Sequence, residues 1–122
     1  MTTPDEIKAA ETAHGSAVVS ITELPTLTIR IQGDVDLANA CEIENRVGAA
    51  YQPTVDHVVV DLSDTTYLDS AGLSMLGRLS SRLTAGRTAL TVVAPPASAA
   101  HRVICLSGLA GEFSLQGTFP QL

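Results

Sequence analysis

Val58, Val59 and Val60 follow one another with no polar residue between them, inside the run HVVVDL (57–62). A strand with one wet face alternates apolar and polar side chains, so an unbroken run fits a central strand covered on both faces. ALTVVA (89–94) has the same character, and Pro95-Pro96 blocks its continuation. Between the two runs, Leu73, Leu76, Leu79 and Leu83 recur at helical spacing with Met75 beside them, while Arg78, Ser81 and Arg82 fall elsewhere. Gly86 is placed to stop that helix.

The rest of the chain extends this alternation. AVVSI (17–21) reads as a strand, and in LTIRIQ the apolar Leu27, Ile29 and Ile31 alternate with Thr28, Arg30 and Gln32, which marks a strand with one wet face. Pro25 between them suggests an edge hairpin. GDVD (33–36) is expected to break the strand, with Asp36 as N-cap of a helix over LANACEIENRVGAAY. That helix would bury Leu37, Ala40, Cys41, Ile43, Val47 and Ala50, and Pro53 follows its end. SAAHRVICLSGL reads as a third helix ending near Gly108, and a short strand around Phe113 to Leu115 closes the series. Alternating strands and helices imply βαβ units with right-handed crossovers. The expectation is an α/β domain with a mixed, mostly parallel sheet of four to five strands and about three helices. Residues 1–15 show little apolar periodicity and are expected to form a mobile arm ahead of a domain over residues 16–122.

Net charge is −6, with 13 acidic against 7 basic residues and no basic cluster. Phosphate contacts supply most non-specific nucleic-acid affinity, so DNA or RNA binding is not expected. No stretch approaches the ~20 apolar residues that cross a bilayer, and the first residues lack the basic start and apolar centre of a secretory signal. A cytoplasmic location is the expectation. Cys41 and Cys105 form no CxxC, and His14, His57 and His101 stand apart, so neither a metal nor another cofactor is expected. Both thiols are expected to be buried and reduced, with a redox-controlled disulfide as the alternative.

TYLDSAGLSML (66–76) places an Asp-Ser pair at the mouth of a helix, where a strand ends. In open α/β sheets, functional groups gather at such ends. Three readings compete for Ser70. Ser70 or Asp69 is a helix cap; Ser70 is a nucleophile; or Ser70 accepts a phosphate, which would meet the unpaired amides of the first helical turn. Against the second, DSAGL is not the G-x-S-x-G elbow, and no histidine lies in a partner motif.

LDSAGLSMLGRL following VVVDLSDTTY closely resembles the STAS domain of bacterial anti-sigma factor antagonists. GDVDLANA resembles the family's acidic turn before its first helix, and PPASAAHRVICLSGL resembles its later helix ending in Ser-Gly-Leu. The resemblance covers roughly residues 17 to 116. It implies a binding protein rather than an enzyme, acting as a monomer or weak dimer. The partner it implies is an anti-sigma factor that is also a serine kinase with a histidine-kinase-like ATP site. Binding frees a sigma factor, phosphorylation of the turn serine ends the binding, and a phosphatase resets the system. Carried over, Ser70 is the phosphoacceptor, and Asp36 supports phosphorylation or the kinase interface. Asp69 and Gly72 shape the turn, with Asp34 and Asp64 as further neighbours. Many family members carry Ser or Thr where this chain has Ala71, which leaves Ser70 the sole hydroxyl at the tip. The same fold also occurs as a non-phosphorylated subunit of transporters or larger signalling complexes, and those relatives often lack the serine.

Overall fold

The computed structural model of the chain describes residues 6–8, 18–22, 26–111 and 113–118. In chain order the elements are β1 (Glu6–Lys8), β2 (Val18–Thr22), β3 (Thr26–Val35), α1 (Ala40–Ala50), β4 (His57–Asp61), β5 (Thr65–Leu68), α2 (Ser70–Ala85), β6 (Ala89–Val93), α3 (Ala99–Ser107) and β7 (Ser114–Gln116). A 3-10 turn over Leu109–Gly111 separates the last two. The sheet runs β1-β2-β3-β4-β6-β7, and β5 pairs with β3. Five strands are mutually parallel: β3 with β4 and β5, β4 with β6, and β6 with β7. β2 pairs antiparallel with β3, as the hairpin reading implied, and β1 adds antiparallel to β2. The arm expected over residues 1–15 thus contributes a short strand at Glu6–Lys8, and its other residues lie outside the described ones.

The valine run behaves as its pattern requires. Val58, Val59, Val60, Asp61 and Leu62 are all buried, as are Leu90 to Ala94 along β6. On β3, Leu27, Ile29 and Ile31 are buried while Arg30 and Gln32 are exposed. The main core joins those three residues to Ile43 and Val47 of α1, Met75, Leu76, Leu79 and Leu83 of α2, and Ala100 and Ile104 of α3. Burying each of these Leu, Ile, Val and Met side chains is worth roughly 1.5–3 kcal/mol, so the sheet-to-helix interface is what fixes the strand ends in space.

Several expectations are corrected. GDVD does not end β3: Gly33 takes φ 99°, open to a residue without Cβ, and the strand shifts register between Gly33 and Asp34 before continuing to Val35. The helix after it starts at Ala40, not Leu37. Leu37 is therefore 82% exposed instead of buried on the helical stripe. Neither thiol is buried, and both are free. Cys41 and Cys105 each sit one residue, about 100° of helical turn, beyond a buried neighbour, Ala40 or Ile104. Between the valine strand and the Asp-Ser pair lies a further short strand, β5, that continues along β3 beyond β4.

Candidate functional site at the β5–α2 junction

β3 and β5 end side by side. Val35 is the register partner of Leu68, and the Asp69 amide donates to the Val35 carbonyl at 3.2 Å. Beyond that rung the two chains diverge, one through Asp36 towards α1 and the other through Asp69 into α2. Asp36 and Asp69 thus leave adjacent strand ends, and Ser70 is the first helical residue.

Asp69 is the cap. Its backbone is extended (φ −103°, ψ −171°), and its Oδ1 accepts the amides of Ala71 at 2.9 Å and Gly72 at 3.1 Å. Ser70 is exposed, and its hydroxyl has no hydrogen bond among the described residues. Two of the amides that a phosphate on Ser70 was expected to meet are therefore already occupied. Gly72 is buried where α2 comes down on the strand ends. A Cβ there would overlap Leu68 Cδ1 and stand 3.0 Å from Val35 Cγ1. Ala71 is half-buried against the core, so its side chain faces inward while Ser70 faces solvent.

The acidic turn on the β3 side is organised by Asn39, a residue the sequence reading passed over. Its fully buried side chain accepts the Asp36 amide at 3.0 Å and donates to the Asp34 carbonyl at 2.8 Å. Asn39 also occupies the N-cap position of α1, where its side chain makes no capping bond. Asp36 was expected to be that cap; instead its Oδ1 accepts the Ala38 amide at 2.9 Å, within the preceding turn. Asp and Asn readily bond to nearby backbone in this way, which competes with helix formation and delays the start of α1. Asp34 accepts the Thr66 hydroxyl at 2.6 Å across the β3–β5 seam. Asp64, expected as a neighbour of Ser70, instead stands before β5, at the end of that strand away from Ser70; it is exposed, and its carbonyl receives the Gly33 amide at 3.1 Å. Just before it, buried Asp61 accepts the amide and hydroxyl of Ser63 at 2.9 and 2.6 Å and pairs with Arg30 at 3.3 Å, pinning the turn that launches β5.

Two large apolar side chains flank this acidic end. Leu37 stands in the turn after Asp36, and Tyr67, the register partner of Asp34, is 50% exposed. No sequence signal marked Tyr67, because adjacent Thr66 and Tyr67 are both exposed between buried Thr65 and Leu68, and TTYL shows no alternation. Among the described residues no histidine is paired with Ser70: His57 Nε2 lies 2.8 Å from the Thr91 hydroxyl, and His101 lies against Cys105. Among the described residues, no group of three or more His, Cys, Asp or Glu side chains is arranged to hold a metal ion. No helix among them is long and apolar enough to cross a membrane. The junction therefore presents an exposed hydroxyl, a rim of carboxylates from Asp34, Asp36 and Asp69, and two exposed apolar side chains.

The STAS domain family model matches residues 17–122. The anti-sigma-F factor antagonist RsfB of Mycobacterium tuberculosis (strain ATCC 25618 / H37Rv) is 29% identical over 118 residues, spanning 97% of this chain and 88% of RsfB. Among solved structures, an anti-sigma factor antagonist from Mycobacterium paratuberculosis superposes with a TM-score of 0.75 at 26% identity, covering 98% of this chain and 92% of that one. The phosphorylated form of the Bacillus cell fate determinant SpoIIAA shares the fold, with a TM-score of 0.54 and 24% identity over 80% of this chain and 89% of its own.

Proposed function

This chain belongs to the STAS domain family, and we propose that it acts as an anti-sigma factor antagonist that docks through the β5–α2 junction. In this reading the unphosphorylated chain binds an anti-sigma factor in the cytoplasm and so releases a sigma factor. The anti-sigma factor is also a serine kinase with a histidine-kinase-like ATP site. It transfers the γ-phosphoryl group of ATP to Ser70 Oγ, which ends the binding, and a phosphatase later hydrolyses the phosphoserine. The name of the 29%-identical relative, an anti-sigma-F factor antagonist, supports the partner class.

One observation carries the role of Ser70: the residue has no structural task. Asp69 supplies the cap, so the hydroxyl is left free and exposed on the first residue of α2. A phosphate there adds about −1.5 to −2 charges on a surface already bearing Asp36 and Asp69, which leave adjacent strand ends. The amides of Ala71 and Gly72 are committed to Asp69 and are not free to receive it. The added charge stays at the surface, where it leaves the fold intact and opposes any partner fitted to the neutral hydroxyl. Like-charge juxtaposition across an interface costs several kcal/mol. Asp36, leaving the neighbouring strand end, is assigned to the phosphorylation step or the kinase interface. Phosphopeptide mapping after incubation with the cognate kinase and ATP tests this reading. The phosphate is expected on Ser70 and nowhere else, with none on Ser70→Ala; phosphate at another residue, or none, would overturn it.

A further inference from the structure

Asn39 stands at the N-cap position of α1 and is fully buried, yet its side chain does not cap the helix. Asn is a good N-cap because its oxygen can accept an amide of the first helical turn. Here the carboxamide turns back to the strand end instead. Its Oδ1 accepts the Asp36 amide at 3.0 Å, and its Nδ2 donates to the Asp34 carbonyl at 2.8 Å. One planar group thus bonds the backbone on both sides of Val35, the residue whose carbonyl accepts the Asp69 amide at the entry to α2. Between the strand end and the helix, the Asp36 carbonyl accepts the amides of Asn39 at 3.2 Å and Ala40 at 2.9 Å. The turn so formed carries the half-buried Asp36 and leaves Leu37 82% exposed. A carboxamide both donates and accepts from its two ends, which is what this pair of backbone groups requires. Without it, the Asp36 amide and the Asp34 carbonyl lose the partners that buried polar groups need.

We propose that Asn39 is a positioning residue for the phosphorylation of Ser70: its buried carboxamide holds Asp36 at the strand end beside α2, and it acts on the reaction only through Asp36. This rests on the reading of Ser70 as phosphoacceptor and of Asp36 as its support. In that step a bond forms from Ser70 Oγ to the γ-phosphorus of ATP and the bond from that phosphorus to the bridging oxygen breaks. ADP departs, and the hydroxyl proton is released to solvent. Being fully buried, Asn39 offers no surface to a kinase, so any effect of replacing it on the rate is transmitted through the turn. Ser caps helices as well as Asn does, but its single short hydroxyl cannot serve both the Asp36 amide and the Asp34 carbonyl. Asn39→Ser therefore keeps a capping residue at the head of α1 and loses the hold on the turn.

The test is a double-substitution cycle on the full chain, read as the single-turnover rate at which the anti-sigma factor kinase from the source organism transfers phosphate from ATP to Ser70. Asn39→Ser is expected to slow the step by about fivefold or more. Asp36→Asn, expected to slow the unaltered chain about tenfold, should slow the Asn39→Ser chain by no more than about twofold. An unchanged rate in a folded Asn39→Ser chain would overturn the proposal, and so would two substitutions whose effects simply multiply. A second arm needs no kinase. After correction for intrinsic rates, the Asp36 amide of the unaltered chain should exchange its hydrogen at least about tenfold more slowly than the Leu37 amide, and Asn39→Ser should remove that difference. Equal exchange at the two amides of the unaltered chain would overturn the proposal without recourse to any variant. An unaltered chain that takes no phosphate on Ser70 would count against the phosphoswitch reading, and the exchange arm would then decide the hold of Asn39 on Asp36 by itself.

Discussion

Asp69 accepts the amide of Gly72 at 3.1 Å, and Gly72 has no Cβ to hold the helix end away from Leu68 and Val35. The two residues together seat the start of α2 on the ends of β3 and β5, and Ser70 rides on that seat without contributing to it. Stability and signalling should therefore separate. Asp69→Ala is expected to lose about 0.5–2 kcal/mol, the ordinary cost of removing a helix cap. Ser70→Ala should stay within about 0.5 kcal/mol of the unaltered chain. Urea unfolding of the two variants measures both, and a Ser70→Ala loss as large as that of Asp69→Ala would return the capping role to the serine.

Gly72→Ala should be the more damaging of the small substitutions in this turn. Its methyl would overlap Leu68 Cδ1 and press on Val35 Cγ1, both in the packed core. Overpacking of this kind typically costs about 1–3 kcal/mol. The same urea titration reads it, and a neutral result would mean that the helix end shifts freely on the strands.

Leu37 and Tyr67 are predicted to matter for partner binding and not for folding. Each is exposed beside the carboxylate rim, and Leu37 leaves 82% of its surface in water. Leu37→Ala and Tyr67→Ala should each weaken binding to the anti-sigma factor by about 1–2 kcal/mol while moving stability by less than about 0.5 kcal/mol. Calorimetric titration paired with thermal melts separates the two effects. Unchanged affinity in both variants would place the docking surface elsewhere.

Asp36→Asn removes a charge while keeping an oxygen able to accept the Ala38 amide, so the turn should survive. Single-turnover phosphorylation of Ser70 by the cognate kinase is expected to slow by about tenfold or more. An unchanged rate would mean that Asp36 serves only its own turn.

What the sequence made legible was long and apolar. The valine run, the β6 run and the leucine periodicity of α2 each lie within a residue or two of the observed elements, because burial on the scale of a whole element overrides local detail. Short, polar, locally bonded segments were not legible. TTYL gives no clean alternation, with Thr65 and Leu68 buried and Thr66 and Tyr67 exposed, and its strand exists because β3 continues past Gly33 to receive it. Leu37 fits the helical stripe of α1, but the hydrogen bonds of Asp36 and Asn39 hold the chain out of the helix until Ala40. At the site, the helix mouth was visible but not its division of labour. Asp and Ser are both good caps, and the choice falls to Asp69 because the rung to Val35 holds its backbone extended.

The account rests on Ser70 being a neutral contact that a negative charge turns into a repulsive one. The most direct test is the affinity of Ser70→Ala and Ser70→Glu for the same anti-sigma factor, first recovered from the source organism with the Ser70→Ala chain as bait. Ser70→Ala is expected to bind as the unaltered chain does, and Ser70→Glu at least about tenfold more weakly. Equal affinity of the two folded variants would contradict the switch and leave this junction as a constitutive binding surface.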